Sequence, residues 1–224
     1  MEIEAKERIS TKEGFEALKA ALSEPMKAGL QRNLFIDDEA QSLRSSRTVL
    51  RLRFFYPPAK PEQQSVCLVT CKGKHVMTDG LSRATEIENT IPAEIARKAV
   101  ETKCFDEVVK ASPVFAEVSR DCKGPLIVYG DFTTYREVHS MKEIASVAKV
   151  SEEEAKEIEN LRAEIDSTSY AFGATAYEVE IEASSSETAS AAQRVLCKAL
   201  DNLNIPHHPS KLTKLACLIN QRID

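Results

Sequence analysis

The amino-acid sequence predicts an α+β fold, mainly β, in which an antiparallel sheet is covered by helices. Period-two hydrophobic alternation recurs along the chain, most plainly at 2–9, 48–56 and 177–183. Blocks of helical periodicity stand apart from these strands, notably at 186–203. The strand faces opposite the apolar ones are unusually charged and carry both signs.

The elements follow in order. At 2–9, Glu2, Glu4, Lys6 and Arg8 share one parity, while Ile3, Ala5 and Ile9 fall mostly on the other. Thr11 then suits a helix N-cap ahead of Phe15, Leu18, Ala21 and Leu22, and Pro25 interrupts that run. A short strand is expected at 34–36, and a clear one at 48–56, where Leu50, Leu52 and Phe54 oppose Arg51 and Arg53. Pro57, Pro58 and Pro61 make a loop, and strands at 65–72 and 81–88 flank the Asp79-Gly80 turn signal.

From Pro92 the pattern turns helical, with Ile95, Ala96, Ala99 and Val100 continued by Val108, Val109, Phe115 and Val118. Strand patterning returns at 126–138, 164–168 and 177–183. A charged helical stretch, 141–162, lies between the first two, with Ser151 as N-cap before Glu152, Glu153, Glu154 and Glu157, which read as a solvated face. The helix at 186–203 has Ala189, Ala192, Val195, Leu196 and Leu203 on its apolar side, and 212–219 is compatible with a last helix or strand.

With 224 residues and 42% hydrophobic content the chain can bury one large core, so a single domain, 1–224, is expected. A formal charge of -5 and a pI near 5.6 argue against a general nucleic-acid or membrane-surface binder, which needs a net positive field. Six cysteines without a CxxC pair, and no apolar leader before the first strand, favour reduced thiols and a cytoplasmic location. Zinc is disfavoured because His207 and His208 sit in a Pro-flanked loop away from any cysteine pair. No apolar run approaches the ~20 residues of a membrane span, and no exposed heptad suggests more than a monomer.

A charged strand face is ordinarily a solvated surface. Here carboxylate strands (Glu2, Glu4; Glu164, Asp166; Glu178, Glu180, Glu182) alternate with cationic ones (Arg51, Arg53; Lys72, Lys74; Arg136). Facing a common interior, such groups must pair or bind something. Hard oxygen ligands suit Mg2+ or Mn2+, and guanidinium and ammonium groups suit phosphate oxygens. Glu7 and Arg44 follow no pattern and read as surface residues, and nothing places His139 near the charged face. Arg83 lies on the opposite parity from Glu86 and Glu88, so they share a face only through a bulge; otherwise Arg83 and Glu86 form a rim salt bridge. There is no P-loop and no GxGxxG.

The run from Met1 to Lys6, MEIEAK, resembles the ExExK signature that opens the CYTH superfamily, the triphosphate tunnel metalloenzymes. The likeness continues in order through RTVLRLRF at 47–54, KGK at 72–74, Ser82-Arg83 with Glu86 and Glu88, 132–136, AEID at 163–166, YEVEIE at 177–182 and TKLA at 213–216. The RLRF element is most similar to the plant-type short tripolyphosphatases. The resemblance implies a closed eight-stranded antiparallel β-barrel with a charged lumen, covered by α-helices. It implies one or two Mg2+ or Mn2+ ions on Glu2, Glu4, Glu180 and Glu182, with Glu178 and Asp166 as further ligands. Phosphate would be gripped by Lys6, Arg51, Arg53, Lys72, Lys74, Arg83, Arg136 and Lys214, with Glu86, Glu88 and Glu164 as further lumen groups. Catalysis would rest on Glu2, Glu4, Lys6, Glu180 and Glu182.

The activity implied is hydrolysis of inorganic triphosphate to diphosphate and phosphate. Alternatives on the same barrel are thiamine triphosphate hydrolysis, nucleoside triphosphate hydrolysis or ATP cyclisation of the class IV adenylyl cyclase type. A non-catalytic polyphosphate-binding barrel is a further alternative. One departure from the plant-type pattern is the longer helical insertion at about 140–162.

Overall fold

The structure, a computed structural model, describes residues 2–56, 66–73 and 76–224, with the side chains of Glu2 and Met77 left out. The Pro57, Pro58 and Pro61 loop and Lys74 therefore lie outside the described residues. In chain order the elements are β1 (Glu2–Ile9), α1 (Lys12–Ala20), β2 (Lys27–Asp38), α2 (Ser42–Ser45), β3 (Val49–Tyr56), β4 (Val66–Lys72), β5 (Val76–Thr78), β6 (Leu81–Ala84), β7 (Glu86–Pro92), α3 (Ala93–Thr102), α4 (Asp106–Ala111), α5 (Pro113–Ser119), β8 (Leu126–Ser140), α6 (Met141–Ala148), α7 (Glu152–Ile158), β9 (Arg162–Tyr170), β10 (Thr175–Ala183), α8 (Ser186–Asn202), β11 (His207–Pro209) and α9 (Lys214–Asn220). The fold is α+β and mainly β, as the alternation predicts.

Contacts group the residues into two compact units. The first comprises Met1–Ala28, Val76–Arg83 and Tyr135–Asp224, and its strands hydrogen-bond in the order β5-β6-β1-β10-β9-β8, with β11 added beside β1. Its core is built by Ile9, Phe15, Leu18, Ile165, Val179 and Ile181 from α1 and the strands, with Ala192, Leu196, Ala199 and Leu200 from α8. Alanines along α8 let that helix lie close against the sheet, and Ser185 caps it by accepting from Thr188 N.

The second unit comprises Gly29–His75 and Ala84–Thr134, with the order β8-β2-β3-β4-β7. Leu50, Leu52 and Phe54 of β3 and Val69 of β4 pack there under Ala96, Ala99, Val108 and Phe115 of α3, α4 and α5. Residues 126–134 of β8 lie in this unit and 135–140 in the first.

The described sheet has eleven strands where eight were expected. Two of the extra strands, β5 and β11, are three residues long, too short to show a period. Another arises because 81–88 is broken at Thr85: β6 pairs with β5, and β7 pairs with β4. The hairpin turn between β5 and β6 is Asp79-Gly80, with φ 49° and φ 77°, both left-handed as a type I′ turn requires. Strand β2 is far longer than 34–36: it begins at Lys27, and its last six residues, Asn33 to Asp38, are buried without alternation. At the other end, 212–219 resolves to helix α9, capped by Thr213 accepting from Ala216 N.

The 141–162 stretch is two helices, broken where Lys149 turns left-handed at φ 52°. Glu152, Glu153, Glu154 and Glu157 are exposed, while Met141, Ile144, Ala145, Ala148 and Ile158 join the core on α8. Ser151 and Glu154 form a reciprocal capping box at the start of α7. Among the described residues, no helix is long and apolar enough to cross a membrane.

Candidate metal and phosphate site

Register brings the predicted carboxylates and cations of the first unit together. In the β1–β10 pair Glu4 faces Glu182, Lys6 faces Glu180 and Arg8 faces Glu178; in the β10–β9 pair Glu178 faces Asp166 and Glu180 faces Glu164. Period-two geometry then places all of these side chains on one face of three adjacent strands. Arg136 enters from β8 and Lys214 from the start of α9.

The contacts are dense. Lys6 Nζ lies 2.7 Å from Glu4 Oε2 and also bonds Glu180 Oε1. Arg136 forks onto Asp166, with Nε at 2.7 Å from Oδ1 and a terminal nitrogen at 2.6 Å from Oδ2. That same nitrogen reaches Glu180 Oε2 at 2.6 Å, and the other bonds Glu164. Lys214 Nζ is 2.8 Å from Asp166 and 2.9 Å from Glu180, and it bonds Glu178.

Burial makes these charges strong. Desolvation alone would pull the Lys6 ammonium down, but Glu180, Glu4 and Glu178 outweigh it and hold it well above its ordinary range. Arg136 and Lys214 are raised in the same way, burial being overcome by Asp166 first among their carboxylate partners. Glu180 responds in the opposite sense: burial favours its acid form, yet Lys214, Lys6 and Arg136 hold it well below the carboxylate range. All four groups are therefore charged at neutral pH.

Asp166, Glu178 and Glu180 are all buried and each offers an oxygen within 4.8 Å of the others. On this face Glu4, Glu164, Asp166, Glu178 and Glu180 outnumber Lys6, Arg8, Arg136 and Lys214 by one. Hard carboxylate oxygens of this kind fit Mg2+ or Mn2+. Glu4 stands beside the trio through Lys6, whereas Glu182 is exposed at the strand end opposite Glu4. The side chain of Glu2 lies outside the described residues.

In the second unit Arg51 bonds Thr70 Oγ1 at 3.1 Å and lies 3.5 Å from Glu86 and 3.7 Å from Glu88. Lys72 lies 2.8 Å from Glu86, and Arg53 donates to Asn33 Oδ1 at 2.8 Å. This face also follows register: Arg51 faces Thr70, Thr70 faces Glu88, and Lys72 faces Glu86. Its cations Arg51, Arg53 and Lys72 outnumber Glu86 and Glu88.

Other expectations fare differently. Arg83 is exposed and donates to Ser186 Oγ at 2.8 Å, and the strand break at Thr85 separates its parity from that of Glu86. Glu7, read as a surface residue, is fully buried. Arg44 is exposed, as read. His139 is buried beside Glu143 at 3.3 Å and Glu137 at 3.5 Å.

Sequence reasoning passed over Arg8, which is 2% exposed and lies 3.1 Å from Glu178 and 2.9 Å from Asp224. Its shared parity with Glu4 and Lys6 was the available signal. Thr70 and Asn33 had none, because neutral polar residues do not mark a strand face.

Among solved structures, the chain is similar to a Hippeastrum protein, HpAC1, assigned as an adenylyl cyclase and described as having a dominant triphosphatase activity. The identity is 26% over 100% of this chain and 98% of that one, with a TM-score of 0.81. A Bacillus halodurans protein assigned as an adenylate cyclase shares the fold at 23% identity and TM-score 0.59, over 95% of each chain. The PH1819 protein of Pyrococcus horikoshii shares it at 16% identity and TM-score 0.60, over 99% of this chain and 100% of that one. No curated protein sequence matches significantly. The CYTH domain model matches residues 1–213, nearly the whole chain, and the chain thus belongs to the CYTH domain family.

Proposed function

We propose that this protein hydrolyses inorganic triphosphate to diphosphate and phosphate with Mg2+ or Mn2+. The observation that carries the reading is the buried face on which Lys6, Arg136 and Lys214 share the carboxylates Asp166, Glu178 and Glu180. The triphosphatase activity described for the Hippeastrum relative supports it.

Asp166, Glu178 and Glu180, with Glu4 adjacent, hold the divalent ion; Glu2 and Glu182 complete the family's ligand set. When bound, that ion withdraws charge from phosphoryl oxygens and acidifies a coordinated water. Lys6, Arg136 and Lys214 offer donors to the triphosphate oxygens, exchanging part of their carboxylate contacts for phosphate. Once that exchange is made on binding, the remaining carboxylate contacts hold the donors in place as charge builds up and the terminal P–O bond breaks. Water adds to the terminal phosphorus, diphosphate leaves, and the proton passes to a carboxylate of the face or to solvent.

Phosphate release from tripolyphosphate, with and without chelator, tests this reading in the unaltered protein and in Glu4→Gln. The expected result is metal-dependent turnover that Glu4→Gln lowers about a hundredfold, the usual scale for one positioned group. Cleavage of ATP as fast as tripolyphosphate would instead favour a nucleoside triphosphate substrate, and cyclic AMP formation would favour the cyclase reading that the relatives' names suggest.

A further inference from the structure

On the opposite parity of β1 from Glu4 and Lys6, Glu7 is buried beneath α8. Gln193, Cys197 and Asp201 recur every four residues along α8 and so form one row on that helix. Gln193 Nε2 donates to Glu7 Oε1 at 2.8 Å, while Glu7 Oε2 lies 3.1 Å from His207 Nδ1. The other ring nitrogen of His207 lies 3.3 Å from Asp201 Oδ1. Ligand atoms of Glu7, Cys197 and His207 lie within 4.8 Å of one another.

Glu7 is a carboxylate withdrawn from water, and among the described residues its ion pair is with His207, which is a cation only when protonated. A divalent ion between the two would neutralise a carboxylate held away from water. The geometry points to a second metal site, built by Cys197 Sγ, His207 Nδ1 and Glu7 Oε2, that takes a thiophilic divalent ion of the zinc class. Thiolate, imidazole and carboxylate together suit Zn2+ and are a poor set for Mg2+. Tetrahedral bonds of about 2.0–2.3 Å place ligand atoms roughly 3.5 Å apart, so small side-chain movements close the site.

The surroundings match such an ion. Gln193 occupies the other oxygen of Glu7, and Asp201 is placed to accept from His207 Nε2–H, so that Nδ1 can exchange its contact with Glu7 for the metal while the ring stays held. Asp201 is exposed and Cys197 and His207 are half-buried, which gives the ion a path from solvent and water a fourth position. Without the ion, burial and Glu7 push the Cys197 thiol up to about 12, so it stands protonated. Binding would break the S–H bond and displace the proton between Nδ1 and Glu7, form the metal–sulfur and metal–nitrogen bonds and release these protons to solvent. The site ties β1, β11 and α8 together directly behind the Glu4 and Lys6 face.

Cobalt(II) titration of the full-length, reduced, chelator-dialysed protein tests the site. One equivalent should give a near-ultraviolet thiolate-to-cobalt charge-transfer band that Zn2+ removes and a large excess of Mg2+ leaves. The band should persist in Cys104→Ser, an exposed control, and in Glu4→Gln, whose carboxylate belongs to the other face. It should vanish in Cys197→Ser, and Asp201→Asn should weaken cobalt binding about tenfold. Absence of the band in the unaltered protein, or its survival in Cys197→Ser, overturns the site. Should Cys197→Ser fail to fold by circular dichroism, Glu7→Gln and His207→Gln take its place, and a band surviving in both is equally fatal.

Discussion

Lys6 and Glu180 are direct register partners in the β1–β10 pair, and their side chains bond across it while Glu4 holds the same ammonium at 2.7 Å. Glu180 in turn accepts from Arg136 and Lys214. One carboxylate thus holds three cations, and its replacement is the sharpest test of the face. Glu180→Gln leaves one acceptor oxygen for three cationic donors, so it should lower the denaturation midpoint and also lower metal-dependent turnover about a hundredfold or more. Circular dichroism alongside phosphate release separates the two effects.

The fork of Arg136 onto Asp166 makes charge alone insufficient there. In Arg136→Lys the ammonium cannot span both carboxylate oxygens, so part of a buried acid is left under-bonded at a cost of roughly 1–3 kcal/mol. A lowered denaturation midpoint and a raised KM for tripolyphosphate are expected.

The pH response follows from the same partners. Glu180 is held well below 4.5, so its contribution to stability is present above that value and is lost as pH falls through the folded-state value. Lys6 is held well above 10.5, so its contribution is complete below that value and is lost as pH rises through the folded-state value. Between these limits this pair should leave the melting temperature nearly flat, with the acid decline beginning below about 4.5. Melting curves for the unaltered protein and Glu180→Gln should converge in shape at low pH.

Gly80 sits at φ 77°, and an added Cβ would lie 2.9 Å from the Lys6 carbonyl oxygen. Its own carbonyl accepts from Lys6 N at 2.8 Å. Gly80→Ala should therefore cost about 1–3 kcal/mol of stability through backbone strain, measurable by urea denaturation.

Ser151 accepts from Glu154 N in the capping box of α7. Ser151→Ala should lower stability by about 1 kcal/mol and leave phosphate release unchanged, since that cap touches none of the charged face.

Much of this was legible in the chain itself. Alternation alone put Glu4, Lys6 and Arg8 on one side of β1 and Glu178, Glu180 and Glu182 on one side of β10, because a strand's period of two is fixed by its backbone. Thr11 and Ser151 announced their helices for a similarly local reason: a cap is a bond across three residues. What the tertiary structure alone decided was which distant groups meet. Pairing broke 81–88 at Thr85 and sent Arg83 to Ser186, and the docking of α8 on β1 buried Glu7 against Cys197 and His207. Local propensity carries no information about such encounters, since residues far apart in the chain are brought together by packing, and packing is a property of the whole core.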